Sequence, residues 1–298
     1  MSDDSIYKAR IPVRGNTHRV RGVDYHISEW GDPADPLLVY LHGWGDSGAT
    51  FQFVVDALVS RWHVVAPDWR GFGQTHCRAS GYWFPDYLAD LDDLLSKYCP
   101  SEPVRIVGHS MGGNIGGLYA GAMPERVRAF VNVEGFGLPD TSPTEAPARY
   151  REWLRRQREV PHFTRFGSME GLARHIAKRS PRMTAAQARF VATAWAEEGP
   201  AGPTLFADPA HKRPNAVLYR RAEAEACWRN VTAPVLLVAG ADSAVLEAIG
   251  AQPSGCGLTL PFADVRTRIV AACGHMVHFE APGKLAAAIE DFLLPTCK

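Results

Sequence analysis

No stretch of this chain approaches the ~18 consecutive apolar residues of a membrane span, and the opening from Met1 to Arg10 is polar, without the apolar run of a secretion signal. A soluble, cytoplasmic protein is the expectation. Cysteine is sparse and dispersed: Cys77, Cys99, Cys227, Cys256, Cys273 and Cys297 form no C-x-x-C pair and no cysteine/histidine spacing of the zinc-site type. They read as buried or free thiols, and no metal is expected. There is no phosphate-binding loop, so no nucleotide or flavin cofactor is implied. Neither sign of charge is in excess, with 32 Lys+Arg against 32 Asp+Glu. That argues against nucleic acid as a partner.

What is present suits a globular protein. Of 298 residues, 46% are apolar and 10% aromatic, enough to build a large core. The charge balance conceals an asymmetry: residues 138–230 hold 16 Lys+Arg against 10 Asp+Glu. Arg-rich solvated helix faces account for such an excess, and an anionic substrate is the sharper reading.

The stretch Gly108-His109-Ser110-Met111-Gly112-Gly113 organises the rest. It follows the β-type run Val104-Arg105-Ile106-Val107 and opens a Gly/Ala-rich helical run from Asn114 to Ala122, which places Ser110 at the apex of a strand–turn–helix. Glycines two positions before and after the serine remove side chains that would collide in so sharp a turn. The hydroxyl is thereby lifted clear of the sheet, with the Met111 N–H at a helix start beside it.

Along the chain, strands are expected near Ile11–Arg14 and Val23–Trp30, at Leu37–Leu41, Trp62–Ala66 and Val127–Val133, then at Pro234–Gly240 and Arg266–Ala271. Helices are expected near Thr50–Leu58, Asp86–Tyr98 and Pro282–Leu294. Strands alternating with helices read as a mostly parallel, doubly wound α/β sheet. Residues 138–230 break the alternation. They are Pro- and Arg-rich with helical periodicity, and a helical block inserted at the carboxyl edge of such a sheet becomes a lid. The expected organisation is a core of residues 1–137 and 231–298 with a cap at 138–230.

Four motifs in this order, His42-Gly43-Trp44, Pro67-Asp68-x-Arg70-Gly71-Phe72-Gly73, Gly108-x-Ser110-x-Gly112-Gly113, and Gly274-His275 followed by Glu280-x-Pro282, resemble the α/β-hydrolase superfamily and its members with a helical cap. The resemblance covers nearly everything after Val20. It implies the α/β-hydrolase fold, with Ser110 as nucleophile and His275 as general base, and His278 as a structural or wall residue. It also implies an oxyanion hole from the N–H groups of Trp44 and Met111, and a structural role for Asp68 and Arg70. The triad acid is expected at Asp242, with Glu134 as the alternative. Asp242 sits one residue earlier than the superfamily's spacing after the glycine of its strand, and Ser243 occupies the expected place. His42, Trp153 and Trp195 are the expected pocket residues. A serine nucleophile points to cleavage of a small-molecule carboxylic ester or thioester; carbon–carbon bond hydrolysis and a ligand receptor of the same fold are the alternatives.

Overall fold

The computed structural model describes residues 6–248 and 260–297. In chain order these form β1 (Arg14–Val20), β2 (Val23–Trp30), β3 (Leu37–Leu41), α1 (Gln52–Val55), β4 (His63–Pro67), α2 (Phe84–Tyr98), β5 (Val104–His109), α3 (Met111–Ala122) and β6 (Val127–Val133). There follow α4 (Ala146–Gln157), α5 (Met169–Arg179), α6 (Ala185–Trp195), β7 (Ala196–Glu197), β8 (Thr204–Leu205) and α7 (Arg221–Arg229). The chain then runs through β9 (Val235–Gly240), α8 (Ala244–Ala248), β10 (Val265–Val270), α9 (Val277–Glu280) and α10 (Pro282–Leu293).

Eight strands make one sheet in the order β1-β2-β4-β3-β5-β6-β9-β10. The β1/β2 and β2/β4 pairs are antiparallel and the remainder parallel. The first strand begins where the sequence reading ended it, at Arg14. Its hairpin closes on Arg21 and Gly22, both at positive φ, and a two-residue turn of that kind sets the pairing backward to Arg14↔Glu29.

The strand sequences place their side chains on alternate faces. Val39, Leu41, Ile106, Phe130 and Leu237 face a layer built by α2, α3 and α7, whose Leu91, Ile115, Tyr119 and Trp228 are buried there. Leu38, Tyr40, Val107, Val131 and Val238 face α1 and α10, which supply Val54, Val55, Leu285, Ile289 and Phe292. Both faces being covered explains why the central strands are continuous apolar runs.

Between β6 and β9 the regular elements are helices apart from the short β7/β8 ribbon, which the sequence reading did not anticipate. The α5/α6 pair has its own buried cluster, Leu172, Ala173, Ile176, Ala188, Val191 and Ala192, seated on Phe53 and Phe279 of the body. Helix α7 lies inside the segment expected to be lid, yet it packs on α3: a Cβ on Gly121 would come within 2.0 Å of the Cys227 carbonyl. Cys77, Cys99, Cys227 and Cys273 are free thiols, and Cys256 lies outside the described residues. Among the described residues no helix is long and apolar enough to cross a membrane.

Candidate active site

Ser110 joins the end of β5 to the start of α3 with φ 51° and ψ −113°. Such a backbone costs an L-residue on the order of 1–3 kcal/mol and persists only when its surroundings enforce it. Here the Ser110 N–H donates to the Val133 carbonyl at 2.8 Å, and the Ser110 carbonyl accepts from the Asn114 N–H at 2.9 Å. A Cβ at Gly108 would meet the Gly112 carbonyl oxygen at 2.5 Å, and one at Gly112 would meet the Leu41 carbonyl oxygen at 2.1 Å. Both neighbours are backbone, so neither position admits a side chain.

The loop after β10 brings His275 to this apex. Its Nε2 lies 3.1 Å from Ser110 Oγ and its Nδ1 2.9 Å from Glu134 Oε2. Glu134 follows β6 with φ 62°, a conformation that turns its side chain across the end of β9. Its Oε1 accepts the Gly240 N–H at 2.7 Å, and its Oε2 also accepts the Ser243 hydroxyl at 2.5 Å. The carboxylate is wholly buried while the imidazole is 34% exposed, so the site is anchored below and open above.

Asp242, the expected acid, is elsewhere. Its N–H is tied to the Cys273 carbonyl and its carboxylate, half exposed, pairs with Arg182 at 2.5 Å. The shortened spacing after Gly240 is the cause: it directs Asp242 outward and gives the inward place to Ser243. The residue beside His275 is therefore Glu134.

The His42-Gly43-Trp44 loop packs against the elbow, close enough that a Cβ on Gly43 would lie 3.3 Å from Ser110 Cβ. His42 is buried and does not wall a pocket as expected. Its Nε2 accepts the Trp69 N–H at 2.8 Å and its Nδ1–H donates to the Gly43 carbonyl at 2.7 Å. Burial lowers its pKa against the pull of Asp68 and Asp46, which agrees with the neutral tautomer these bonds require. Asp68 accepts the N–H groups of Gly48 and Gln74, and Arg70 pairs with buried Asp90. Both brace their loop, as the sequence reading had them.

The two tryptophans differ in place, and Trp195 is the one beside a cavity. It lines a cavity of about 280 Å3 together with Trp44, and its Nε1–H donates to Asp46 Oδ1 at 2.8 Å. Trp153 is not among the cavity's residues, because α4 buries none of its side chains fully. Helical periodicity marks an apolar face but not what that face meets.

Asp46 was missed in the sequence. It is buried beside the elbow, its Oδ1 also takes the Thr50 hydroxyl, and its Oδ2 lies 3.0 Å from His278 Nε2. His109 completes the group, its Nε2–H donating to the His275 carbonyl at 3.0 Å. Asp46, His109 and His278 offer donor atoms within 4.8 Å of one another, the set among the described residues that could hold a metal. The signal in the sequence was a histidine directly before Ser110 and a second one three residues after His275.

A strained serine at the end of a central strand, reached by a histidine and an acid from later loops of a doubly wound sheet, is the arrangement of the α/β-hydrolase class. The chain belongs to the alpha/beta hydrolase fold family, whose match runs over residues 36–282. It is similar to a serine hydrolase-like protein of Danio rerio, 26% identical over 276 residues that cover 89% of this chain and 84% of the relative. It is also similar to the 2-(acetamidomethylene)succinate hydrolase of Mesorhizobium japonicum, 25% identical over 260 residues, 87% and 88% of the two chains. Among solved structures, the thioesterase domain from the curacin biosynthetic pathway superposes with a TM-score of 0.82 at 21% identity, over 94% of this chain and 99% of that one.

Proposed function

We propose that the protein is a serine hydrolase that cleaves a carboxylic ester or thioester through an acyl-enzyme. The observation that carries this is the unbroken hydrogen-bonded chain Ser110 Oγ, His275 Nε2, His275 Nδ1, Glu134 Oε2. A free hydroxyl is scarcely ionised at neutral pH, and an imidazole at 3.1 Å can take its proton as the oxygen attacks. Glu134 holds the ring in the tautomer that leaves Nε2 free to accept and stabilises the imidazolium that forms.

The balance closes with water alone. Ser110 Oγ bonds to the acyl carbon, the ester or thioester bond breaks, and His275 returns the proton to the departing alcohol or thiol. Water then repeats the attack through the same base, releasing the acid and restoring Ser110. The N–H groups of Met111 and Trp44 take the oxyanion, each worth about 3 kcal/mol in the transition state. Met111 opens α3, and Trp44 follows the glycine packed on Ser110. The helices between β6 and α7 act as the cap, with α5 and α6 seated on the body beside the site.

The test is labelling with a fluorophosphonate, read by intact mass. One adduct on the wild type that is lost in Ser110→Ala, with ester turnover lost in Ser110→Ala and His275→Ala, is the expected result. An unlabelled but folded wild type refutes the reading.

A further inference from the structure

Part of the inserted segment's positive charge is spent on its own acids. Arg155 and Arg156 pair with Glu152 and Glu159, Arg174 and Arg189 with Glu170, and Arg221 and Arg229 with Glu225. Of the segment's cations that have no carboxylate partner among the described residues, Arg179, the last residue of α5, and Lys212, in the turn Pro209–Lys212, are the two that line an aromatic cavity. Neither has a carboxylate partner, and both line the same cavity of about 280 Å3. His175, one turn before Arg179 on α5, lines it too.

Five aromatic rings, Trp44, Phe163, Phe166, Trp195 and Phe206, supply much of the remaining wall, with Leu172 and Leu205 among the aliphatic residues. Lys212 lies 5.8 Å from the centroid of the Phe163 ring and donates to the His162 carbonyl at 3.0 Å, so its ammonium is held at the wall. The one acid in the lining is Asp46, whose oxygens are already occupied by Thr50, Trp195 and His278. The cavity therefore has an apolar body and unneutralised positive charge from exposed side chains at its edge. Trp44, Gly45 and Asp46 of its lining come directly after the glycine that packs on Ser110.

We propose that this cavity receives the acyl part of the substrate, and that the acyl chain is short and ends in a carboxylate met by Arg179 and Lys212. This rests on the serine-hydrolase reading. A volume near the lower end of ligand sites suits a short chain, and aromatic walls suit its methylene groups. A guanidinium and an ammonium without carboxylate partners suit its charged end. A neutral acyl chain would use the walls and leave both cations idle.

The experiment compares two substrates of one shape: the para-nitrophenyl ester of adipic acid with its second carboxyl free, and the same ester with that carboxyl methylated. The readout is the ratio of their kcat/KM values in the wild type, in Lys212→Met and in Arg179→Met. The expected wild-type ratio favours the free acid at least tenfold at low salt. It falls several-fold in each variant, through KM of the free acid, and it falls toward unity as ionic strength approaches about 1 M, where the screening length is about 3 Å. Turnover of both esters with equal kcat/KM, or a preference that persists in both variants, overturns the proposal and leaves the serine-hydrolase reading standing. Turnover of neither ester, with no fluorophosphonate adduct on Ser110, overturns both.

Discussion

Ser243 donates its hydroxyl to Glu134 Oε2 at 2.5 Å, so the serine that stands where an acid is expected after β9 holds the carboxylate that stands there from β6. The two positions are 109 residues apart and meet because β6 and β9 are neighbours in the sheet. Glu134→Gln keeps the shape but presents an amide to His275, and should lower kcat by roughly 10³–10⁴-fold, as expected of an isosteric change in a triad acid. Asp242→Asn breaks an exposed pair with Arg182, worth about 0–1 kcal/mol, and should leave kcat within about twofold. Steady-state kinetics of the two variants side by side decide the assignment; a large loss in Asp242→Asn alone would reverse it.

The elbow makes a stability prediction. A methyl at Gly112 would lie 2.1 Å from the Leu41 carbonyl oxygen and 2.7 Å from that of His42, both backbone atoms of the adjacent strand and its loop. Neither can yield without moving β3 away from β5. Gly112→Ala should cost several kcal/mol, at the exceptional end for a single substitution. Gly283→Ala, where a Cβ meets nothing within 4 Å, is the matched control and should be close to neutral. Chemical denaturation of the two proteins provides the comparison.

Much of the fold is legible because it rests on short-range rules. The runs Leu37–Leu41 and Val235–Gly240 are apolar throughout and Val127–Val133 is apolar but for Arg128 and Asn132, as suits strands covered on both faces, and the glycines around Ser110 mark a backbone that admits the turn. The choice of acid was partly legible: the short spacing after Gly240 and the alternative at Glu134 can both be read, whereas the positive φ that turns Glu134 toward His275 is not encoded in residue type. The role of Asp46 was hidden for a related reason. Its partners His278 and Trp195 come from segments 232 and 149 residues away, brought together only by the folded sheet and the helices above it. Trp153 failed in the opposite sense, since its helix has the right periodicity and its face finds no cavity.

That Asp46 group is a buried ion-pair candidate with two histidines around it, and its energetics are asymmetric. Burial opposes the charged carboxylate, yet the bond to His278, the nearby imidazoles and the Trp195 N–H outweigh it and hold the Asp46 pKa below its ordinary value. Removing His278 leaves the buried carboxylate with only the Thr50 hydroxyl and the Trp195 N–H, both on Oδ1, and, among the described residues, nothing on Oδ2. His278→Ala should therefore destabilise by about 3–5 kcal/mol. Asp46→Asn in the same background should recover part of that loss, because an amide is cheaper to bury than a carboxylate. Thermal unfolding of the single and double variants measures it, and additive losses would show that the two side chains do not interact.

The last prediction concerns pH and the junction between the inserted segment and the body. His211, in the turn Pro209–Lys212, is stacked between Phe72 and Tyr82 with ring centroids 3.7 and 3.5 Å away. Burial lowers its pKa from 6.5 to about 4, against the opposing pull of the Arg70 carbonyl and Asp208. Above pH 6.5 the imidazole is neutral whether the chain is folded or not, and the stabilisation is fully present. Between 6.5 and about 4 the unfolded chain binds a proton that the folded chain refuses, so stability falls as pH falls, by roughly 3 kcal/mol over that window. Below about 4 both states are protonated and this contribution stops changing. Buried His109 has its pKa lowered by burial and by the neighbouring histidines, and it adds a loss of the same sign. His211→Gln separates the two: it keeps a planar polar group between the rings without the titration. The difference in unfolding free energy between wild type and variant should therefore shrink as pH drops from 7 to 4. A difference that stays constant across that range would mean that His211 accepts its proton in place, and that the stacked rings do not exclude the charge.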